Sequence, residues 1–178
     1  MLNFAYQEHV RSYYFDSRNQ DFQFPPLTQI EHADVCVIGA GFFGLSAALE
    51  LAEKGKKVIV LEGARVGFGA SGRSGGQAIN GFEEGIDEYV KQVGEDKAHK
   101  LWNMSLEAID IIDERIEKYG IQCDWKKGYA TLALNERRMD DLIEIEKESH
   151  ENFGYQNMQL WDKAKLKQHL GSDIYVGG

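Results

Sequence analysis

Three glycines and one glutamate are the residues whose types and spacing point most directly to chemistry. Residues 39–44 follow the pattern G-x-G-x-x-G, and Glu62 comes at about the distance, some 20 residues, at which an acid completes this pattern in dinucleotide-binding proteins. The six positions of the pattern are Gly39, Ala40, Gly41, Phe42, Phe43 and Gly44. Glycines there allow a sharp turn, a close approach of phosphate to the backbone, and close packing of a helix. Backbone N–H groups at the start of that helix would then face the phosphates.

The elements that must position these residues can be read from the neighbouring sequence. The β-branched run 33–38 predicts a strand directly before the glycines, and the apolar residues after Gly44 predict a helix that ends at Gly55. The run 57–62 predicts a second strand, buried on both faces and ending in Glu62. A strand, a helix, a second strand and an acid in this order indicate a Rossmann-like βαβ unit of the α/β class, which favours nucleotide binding over a chance glycine turn.

A second glycine-rich segment, residues 63–76, follows the second strand. It contains six glycines together with Arg65, Val66, Phe68 and Arg73. A flexible Gly/Ser linker is one interpretation. We favour a second cofactor-contacting loop, because the segment begins where open α/β sheets bind their ligands. Its candidate binding residues, with Gln77 just beyond it, are Gly63, Ala64, Arg65, Ala70, Ser71, Arg73, Ser74, Gly75, Gly76 and Gln77.

Residues 34–77 resemble the FAD-binding start of the D-amino-acid-oxidase-like superfamily, which includes the glycine and sarcosine oxidases. Residues 67–77, Gly-Phe-Gly-Ala-Ser-Gly-Arg-Ser-Gly-Gly-Gln, carry the resemblance most specifically. Within the superfamily the chain is most similar to the gamma-glutamylputrescine oxidases, and the similarity continues through Ser12-Tyr13-Tyr14, Glu114-Arg115-Ile116 and Cys123-Asp124. Ser74 stands where the family pattern usually has Asn.

This resemblance implies an FAD-dependent amine oxidoreductase with a small-molecule amine as substrate. In such enzymes the flavin accepts a hydride from the carbon next to the amine, the imine hydrolyses, and oxygen is reduced to peroxide. The alternatives are a truncated, catalytically inactive flavin-binding fragment and another dehydrogenase of the D-amino-acid or sarcosine type. Residues 63–81 contain no His or Cys, so we expect the FAD to be held non-covalently. No residue is assigned as catalytic, and no metal-ligand spacing occurs.

Composition narrows the class of protein and its partners. The net charge of −9 argues against a nucleic-acid-binding surface. The nearly apolar run 35–52 contains a glycine turn and Glu50, so we expect a βα unit there and no membrane span. No signal peptide is evident in the first 32 residues. Cys36, expected to be buried in the first strand, and Cys123 indicate a reducing compartment, hence a cytoplasmic protein of unspecified oligomeric state.

The rest of the chain predicts a different, α+β organisation. We expect helices over 82–93 and 95–119, a β-hairpin over 121–134, a helix from the N-cap Asn135 to Gly154, and another helix begun by Asp162. The predicted domains are an aromatic arm (1–32), an FAD-binding Rossmann-like unit (33–81), and a helical part leading into an incomplete substrate domain (82–178). Two strands are few for a doubly wound sheet, which normally has about five or six. We therefore expect an amino-terminal part of a longer fold.

Overall fold

The computed structural model describes residues 9–82 and 86–178. Residues 1–8 of the predicted arm and 83–85 of the predicted helix 82–93 lie outside the described residues. The elements, in chain order, are α1 (Tyr13–Asp16), β1 (Val35–Ile38), α2 (Phe42–Glu53), β2 (Val58–Leu61), a 3-10 helix (Ala70–Arg73), α3 (Ile86–Val93), α4 (Glu95–Tyr119), α5 (Glu136–Phe153) and α6 (Lys163–His169). None of the helices in the described part combines the length and apolarity that a membrane crossing needs.

The predicted βαβ unit is confirmed. Strands β1 and β2 are parallel, with Val35 opposite Val58 and Ile38 opposite Leu61. Helix α2 connects them and packs on both strands. Beyond its last turn Gly55 adopts a φ of +77°, which lets the chain reverse toward β2.

Burial in this sheet differs from the expectation in two ways. Cys36 was expected to be buried but is exposed, and β2 is half-buried throughout instead of buried on both faces. In β1 the reason is that side chains alternate between the two faces of a strand. Val35 and Val37 are half-buried, whereas Cys36 and Ile38 are exposed, Ile38 by 87%.

The chain divides into two compact units. One comprises Met1–Ile79 and Ile116–Cys123, and the other comprises Asn80–Arg115 and Asp124–Gly178. In the first unit, Lys118 Nζ lies 2.6 Å from a carboxylate oxygen of Glu53 in α2, and the Tyr119 hydroxyl donates to the same oxygen. The predicted domain limits at residues 32 and 81 stay a prediction.

The helices of the second unit agree with the sequence. Helix α4 ends before Gly120, and α5 begins at the N-cap Asn135, whose side chain accepts the Arg138 N–H at 3.0 Å. Gly154 ends α5 in the left-handed conformation, with φ +64°. Among the described residues of this unit, four apolar side chains are buried and form its core: Ala98, Ala133, Leu142 and Leu166.

The predicted β-hairpin over residues 121–134 is wrong. The described backbone there contains no strand, and Ala133 forms an isolated antiparallel bridge with Gly177. The Ala133 N–H donates to Gly177 O, and Ala133 O accepts the Val176 N–H, both at 2.9 Å. The backbone N–H and C=O of Ala133 therefore bond to residues distant in the chain, whereas the alternating pattern had predicted a local hairpin partner.

The first half of that segment is bound to a carboxylate on α4. The Trp125 indole N–H donates to Asp113 Oδ1 at 2.8 Å, and Lys127 Nζ donates to Asp113 Oδ2 at 2.6 Å. These hydrogen bonds, first that from Lys127 and then that from Trp125, lower the pKa of Asp113 below its ordinary value of 3.8. The segment is thereby held against the helix.

This clamp predicts an acid-sensitive contribution to stability. Because the Asp113 pKa is lower in the folded than in the unfolded chain, its stabilisation is present above pH 3.8 and is lost as pH falls through the folded-state pKa. We expect Asp113→Asn to lower the free energy of unfolding near neutral pH and to flatten its decline in acid. Urea unfolding across this range is the measurement, with Asp110→Asn on the same helix as control. An unchanged acid profile in Asp113→Asn would contradict the assignment.

Candidate functional site

A cavity of about 400 Å³ lies at the carboxyl ends of β1 and β2. Its lining residues are Ile38, Gly39, Leu61, Glu62 and Gly63. Parallel strands end side by side here, so the first glycine of the turn and the acid of the second strand face the same space. This is the edge at which open α/β sheets bind ligands.

The conformation of the glycine turn requires glycine at two of its positions. Gly39 has a φ of +101°, a value that other residues rarely adopt, and its N–H donates to Leu61 O at 2.7 Å. A Cβ on Gly44 would lie 2.0 Å from Gly39 O, so only glycine permits this approach of α2 to the turn. These roles are those expected from the sequence.

The remaining glycine of the pattern, Gly41, faces a side chain of the second loop. A Cβ on Gly41 would lie 2.9 Å from Ser71 Oγ. The same hydroxyl accepts the Phe42 N–H at 3.0 Å, at the first residue of α2. Oxygen therefore already lies at the amino-terminal end of the helix, where the helix dipole and N–H groups favour an anion.

Glu62 joins the two strand ends through its side chain. Its Oε2 accepts the Ala40 N–H at 2.8 Å, and its Oε1 accepts the Ala64 N–H at 3.0 Å. A carboxylate has about four lone-pair positions, so each oxygen can still accept from a hydroxyl. Glu62 is thus fixed in place and remains an acceptor toward the exposed side of the cavity.

Residues 63–76 fold back onto the glycine turn. The Gly67 N–H donates to Ala40 O, and the Gly72 N–H donates to Gly67 O, both at 2.9 Å. A Cβ on Gly72 would lie 2.2 Å from Gly67 O, so this contact also requires glycine. This ordered packing is what a ligand-contacting loop needs, in contrast to a flexible linker.

The structure brings some of the predicted binding residues together and leaves the side chains or backbone of others exposed to solvent. Gly39, Ala40, Gly41, Glu62, Gly63, Ala64 and Ser71 meet around the turn. Phe42 and Phe43 are 64% and 89% exposed, and Arg73, Ser74, Gly75, Gly76 and Gln77 are exposed as well. The Arg65 side chain forms an ion pair with Asp21, with 3.6 Å between Arg65 Nη1 and Asp21 Oδ1.

The sequence analysis missed residues on both sides of this site. Ile38 and Leu61 line the cavity as the last residues of their strands, a position that the strand prediction could have indicated. Asp21 has no motif around it, so nothing in the sequence connects it with Arg65.

Comparison with known proteins agrees with this geometry. A family described as DAO, FAD dependent oxidoreductase, matches residues 34–178. The chain belongs to this FAD-dependent oxidoreductase family. It is 97% identical over its whole length to a protein named probable oxidoreductase OrdL from Haemophilus influenzae, of which it covers 41%. No solved structure matched the chain.

Two further relatives of the chain are more distant. The chain is 43% identical to the gamma-glutamylputrescine oxidoreductase of Escherichia coli, over 96% of this chain and 40% of the relative. It is 30% identical to a probable oxidoreductase OrdL of Rhizobium meliloti, over 87% of this chain and 36% of the relative. The chain therefore spans about two fifths of the length of these curated relatives.

The residues around the cavity fit the cofactor that this family implies. FAD has an adenosine ribose with free hydroxyls and a pyrophosphate. Glu62 provides the acceptor for the hydroxyls, and the beginning of α2 provides N–H groups beside a glycine that has no Cβ. The donors and acceptors of this edge thus match both polar parts of the dinucleotide.

The glycine contacts predict two different kinds of defect. In Gly41→Val the Cβ lies 2.9 Å from the Ser71 hydroxyl, a side-chain atom, and the side chain projects toward the proposed pyrophosphate site, so we expect normal helix content but FAD affinity weaker by about tenfold or more, equivalent to about 1.4 kcal/mol. Gly44→Ala drives a Cβ into the Gly39 carbonyl, so we expect the unfolding free energy to fall by roughly 1–3 kcal/mol. Circular dichroism, urea unfolding and flavin titration separate these defects.

Gly171→Ala is the matched control, because a Cβ there meets no atom within 4 Å among the described residues. It should alter neither measurement. Full flavin affinity in Gly41→Val would show that the motif is only a structural turn.

Proposed function

We propose that this chain is the FAD-binding part of an amine-oxidising flavoprotein. The observation that carries the proposal is the hydrogen bond from the Ala40 N–H to Glu62, which joins the glycine turn and the acid at one cavity. Membership of the FAD-dependent oxidoreductase family supports FAD as the ligand of that cavity.

Each part of the site has a proposed binding role. Residues 39–44 and the N–H groups at the start of α2 bind the pyrophosphate, and Glu62 accepts hydrogen bonds from the ribose hydroxyls. The Ser71 hydroxyl is close enough to the helix start to donate to a phosphate oxygen. The remaining candidates of residues 63–77 are proposed as backbone and side-chain contacts along the cofactor. Arg65 is proposed to act on the side of this loop that faces away from the glycine turn.

The proposed reaction is the oxidation of a small amine. When bound, the flavin supplies the acceptor for a hydride from the carbon next to nitrogen and then reduces oxygen to hydrogen peroxide. The chain's own residues bind and orient that cofactor. The relative named gamma-glutamylputrescine oxidoreductase supports gamma-glutamylputrescine as the substrate, which would assign the protein to putrescine catabolism.

Attachment and location complete the proposal. The FAD is bound non-covalently, because residues 63–81 contain no His or Cys. Both cysteines are free thiols, which supports a cytoplasmic protein.

A flavin-binding module without turnover is the second candidate. The observation that favours it is exposure around the edge of the sheet at which the cofactor is proposed to bind. Ile38 is 87% and Phe43 is 89% exposed there. Efficient amine oxidation requires a site that excludes water and fixes the substrate. Flavin binding alone requires only the turn, Glu62 and the second loop.

Titration with nucleotides tests the proposed cofactor. We expect the purified chain to bind FAD and to give the visible absorption of an oxidised flavin. NADPH should bind weakly, because the Glu62 carboxylate repels a 2′-phosphate on the ribose. Glu62→Gln should weaken FAD binding through the loss of charge-assisted hydrogen bonds. Tight NADPH binding without flavin affinity would refute the proposal.

Peroxide formation tests the second candidate, the module without turnover. We expect the 178-residue chain with added FAD and gamma-glutamylputrescine to turn over far more slowly than the roughly 10 s⁻¹ of an ordinary enzyme, because the site is open to water. The control is the same mixture without amine. Amine-dependent turnover near that ordinary rate would exclude the inactive module.

A further inference from the structure

Within the predicted aromatic arm (1–32), residues 9–22 contact the second glycine-rich loop, and from here on the arm means these residues alone. They precede the residues that match the family. The His9 ring lies 5.8 Å from the Phe68 ring between centroids. A Cβ on Gly75 would lie 3.7 Å from the Tyr14 hydroxyl. The third contact is the ion pair between Asp21 and Arg65. The arm therefore meets the loop near its beginning, middle and end.

Asp21 is held between two guanidinium groups. Its Oδ1 lies 3.6 Å from Arg65 Nη1, and its Oδ2 lies 3.3 Å from Arg18 Nη2. Arg18 is itself fixed, because its guanidinium lies 3.7 Å above the centre of the Phe15 ring. Asp21 thus connects a fixed cation on the arm with a cation on the loop.

The Asp21–Arg65 pair differs from the other surface ion pairs in its burial. The Arg65 side chain is only 10% exposed, so the Asp21 carboxylate lies beside a charge that is largely removed from water. A cavity of about 130 Å³ remains beside the pair, between arm and loop. Close packing is therefore incomplete at this point, and the ion pair is a direct contact between arm and loop there.

The opposite side of the loop touches the glycine turn within two residues of Arg65. Arg65 O accepts the Phe68 N–H at 2.9 Å, which closes a tight turn. Inside that turn, the Gly67 N–H donates to Ala40 O at 2.9 Å. Arg65 is thus connected through this turn to Ala40, whose own N–H donates to Glu62.

We propose that Asp21 is a positioning residue for the cofactor site. By holding Arg65, it keeps residues 63–76 closed on the glycine turn, and it does so from a segment outside the family match. The consequence for affinity rests on the proposed FAD-binding function. The closure of the loop does not, because it is a property of the chain without cofactor.

The experiment measures both properties in the full 178-residue chain. Limited digestion with trypsin, carried out without cofactor, measures the rate of cleavage after Arg73, an exposed residue of the loop. Flavin titration follows the affinity for FAD. In Asp21→Asn we expect roughly fivefold faster cleavage after Arg73 and roughly fivefold weaker FAD binding, the scale of one partly exposed ion pair.

Two variants serve as controls. Asp16→Asn removes an equal charge from the arm at a carboxylate that makes no hydrogen bond or ion pair with another described residue, and it should behave as wild type. Asp21→Glu keeps the charge and should restore most of the protection. A double variant with Arg65→Met should add little to Asp21→Asn, because coupled residues are not additive.

The outcomes separate this proposal from the proposed function. Wild-type cleavage after Arg73 in Asp21→Asn would overturn the proposal, and so would an equal acceleration at every tryptic site, which would assign Asp21 to general stability. Failure of the wild-type chain to bind FAD would refute the proposed function, while selective cleavage after Arg73 in Asp21→Asn would still support the positioning role.

Discussion

The site depends on the parallel register of two four-residue strands. Because Ile38 lies opposite Leu61, the first residue after β1 and the first residue after β2 emerge side by side. Gly39 then donates its N–H to Leu61 O, and Ala40 donates to the Glu62 carboxylate. A slip of one residue would turn alternate side chains to the opposite face and separate the turn from its acid. The register is therefore a condition for the cavity as well as for the sheet.

Local backbone requirements made much of this unit predictable. Gly39 and Gly44 fulfil their expected roles because a positive φ and a close helix approach depend on the residue itself and its near neighbours. Helix α5 follows its cap residues, Asn135 and Gly154, for the same reason. In these places the sequence and the folded chain impose the same constraint within a few residues.

Features that depend on distant partners escaped prediction. Cys36 has the residue types of a buried strand around it, but its burial depends on what covers that face of the sheet. The alternation in residues 129–134 fits a hairpin, yet Ala133 bonds to Gly177 and Trp125 bonds to Asp113. Arg65 belongs to a glycine-rich motif, and its partner Asp21 comes from the arm. A periodic pattern reports that a residue can pair or pack, and it does not report with which residue.

The position of Ser71 shows how the two glycine-rich segments act as one structure. Its hydroxyl satisfies the Phe42 N–H, one of the helix donors without an intrahelical acceptor, while Gly67 and Glu62 join the same turn from other directions. A phosphate oxygen placed at this helix end would share the N–H groups with Ser71 or displace it. A hydroxyl can rotate to become a donor toward that oxygen, so the residue that completes the helix end without ligand can also assist a ligand. Under the proposed function, affinity for the cofactor would then depend on how firmly residues 63–76 hold Ser71, and this would connect the edge of the sheet that binds the cofactor with the contacts on the far side of the loop.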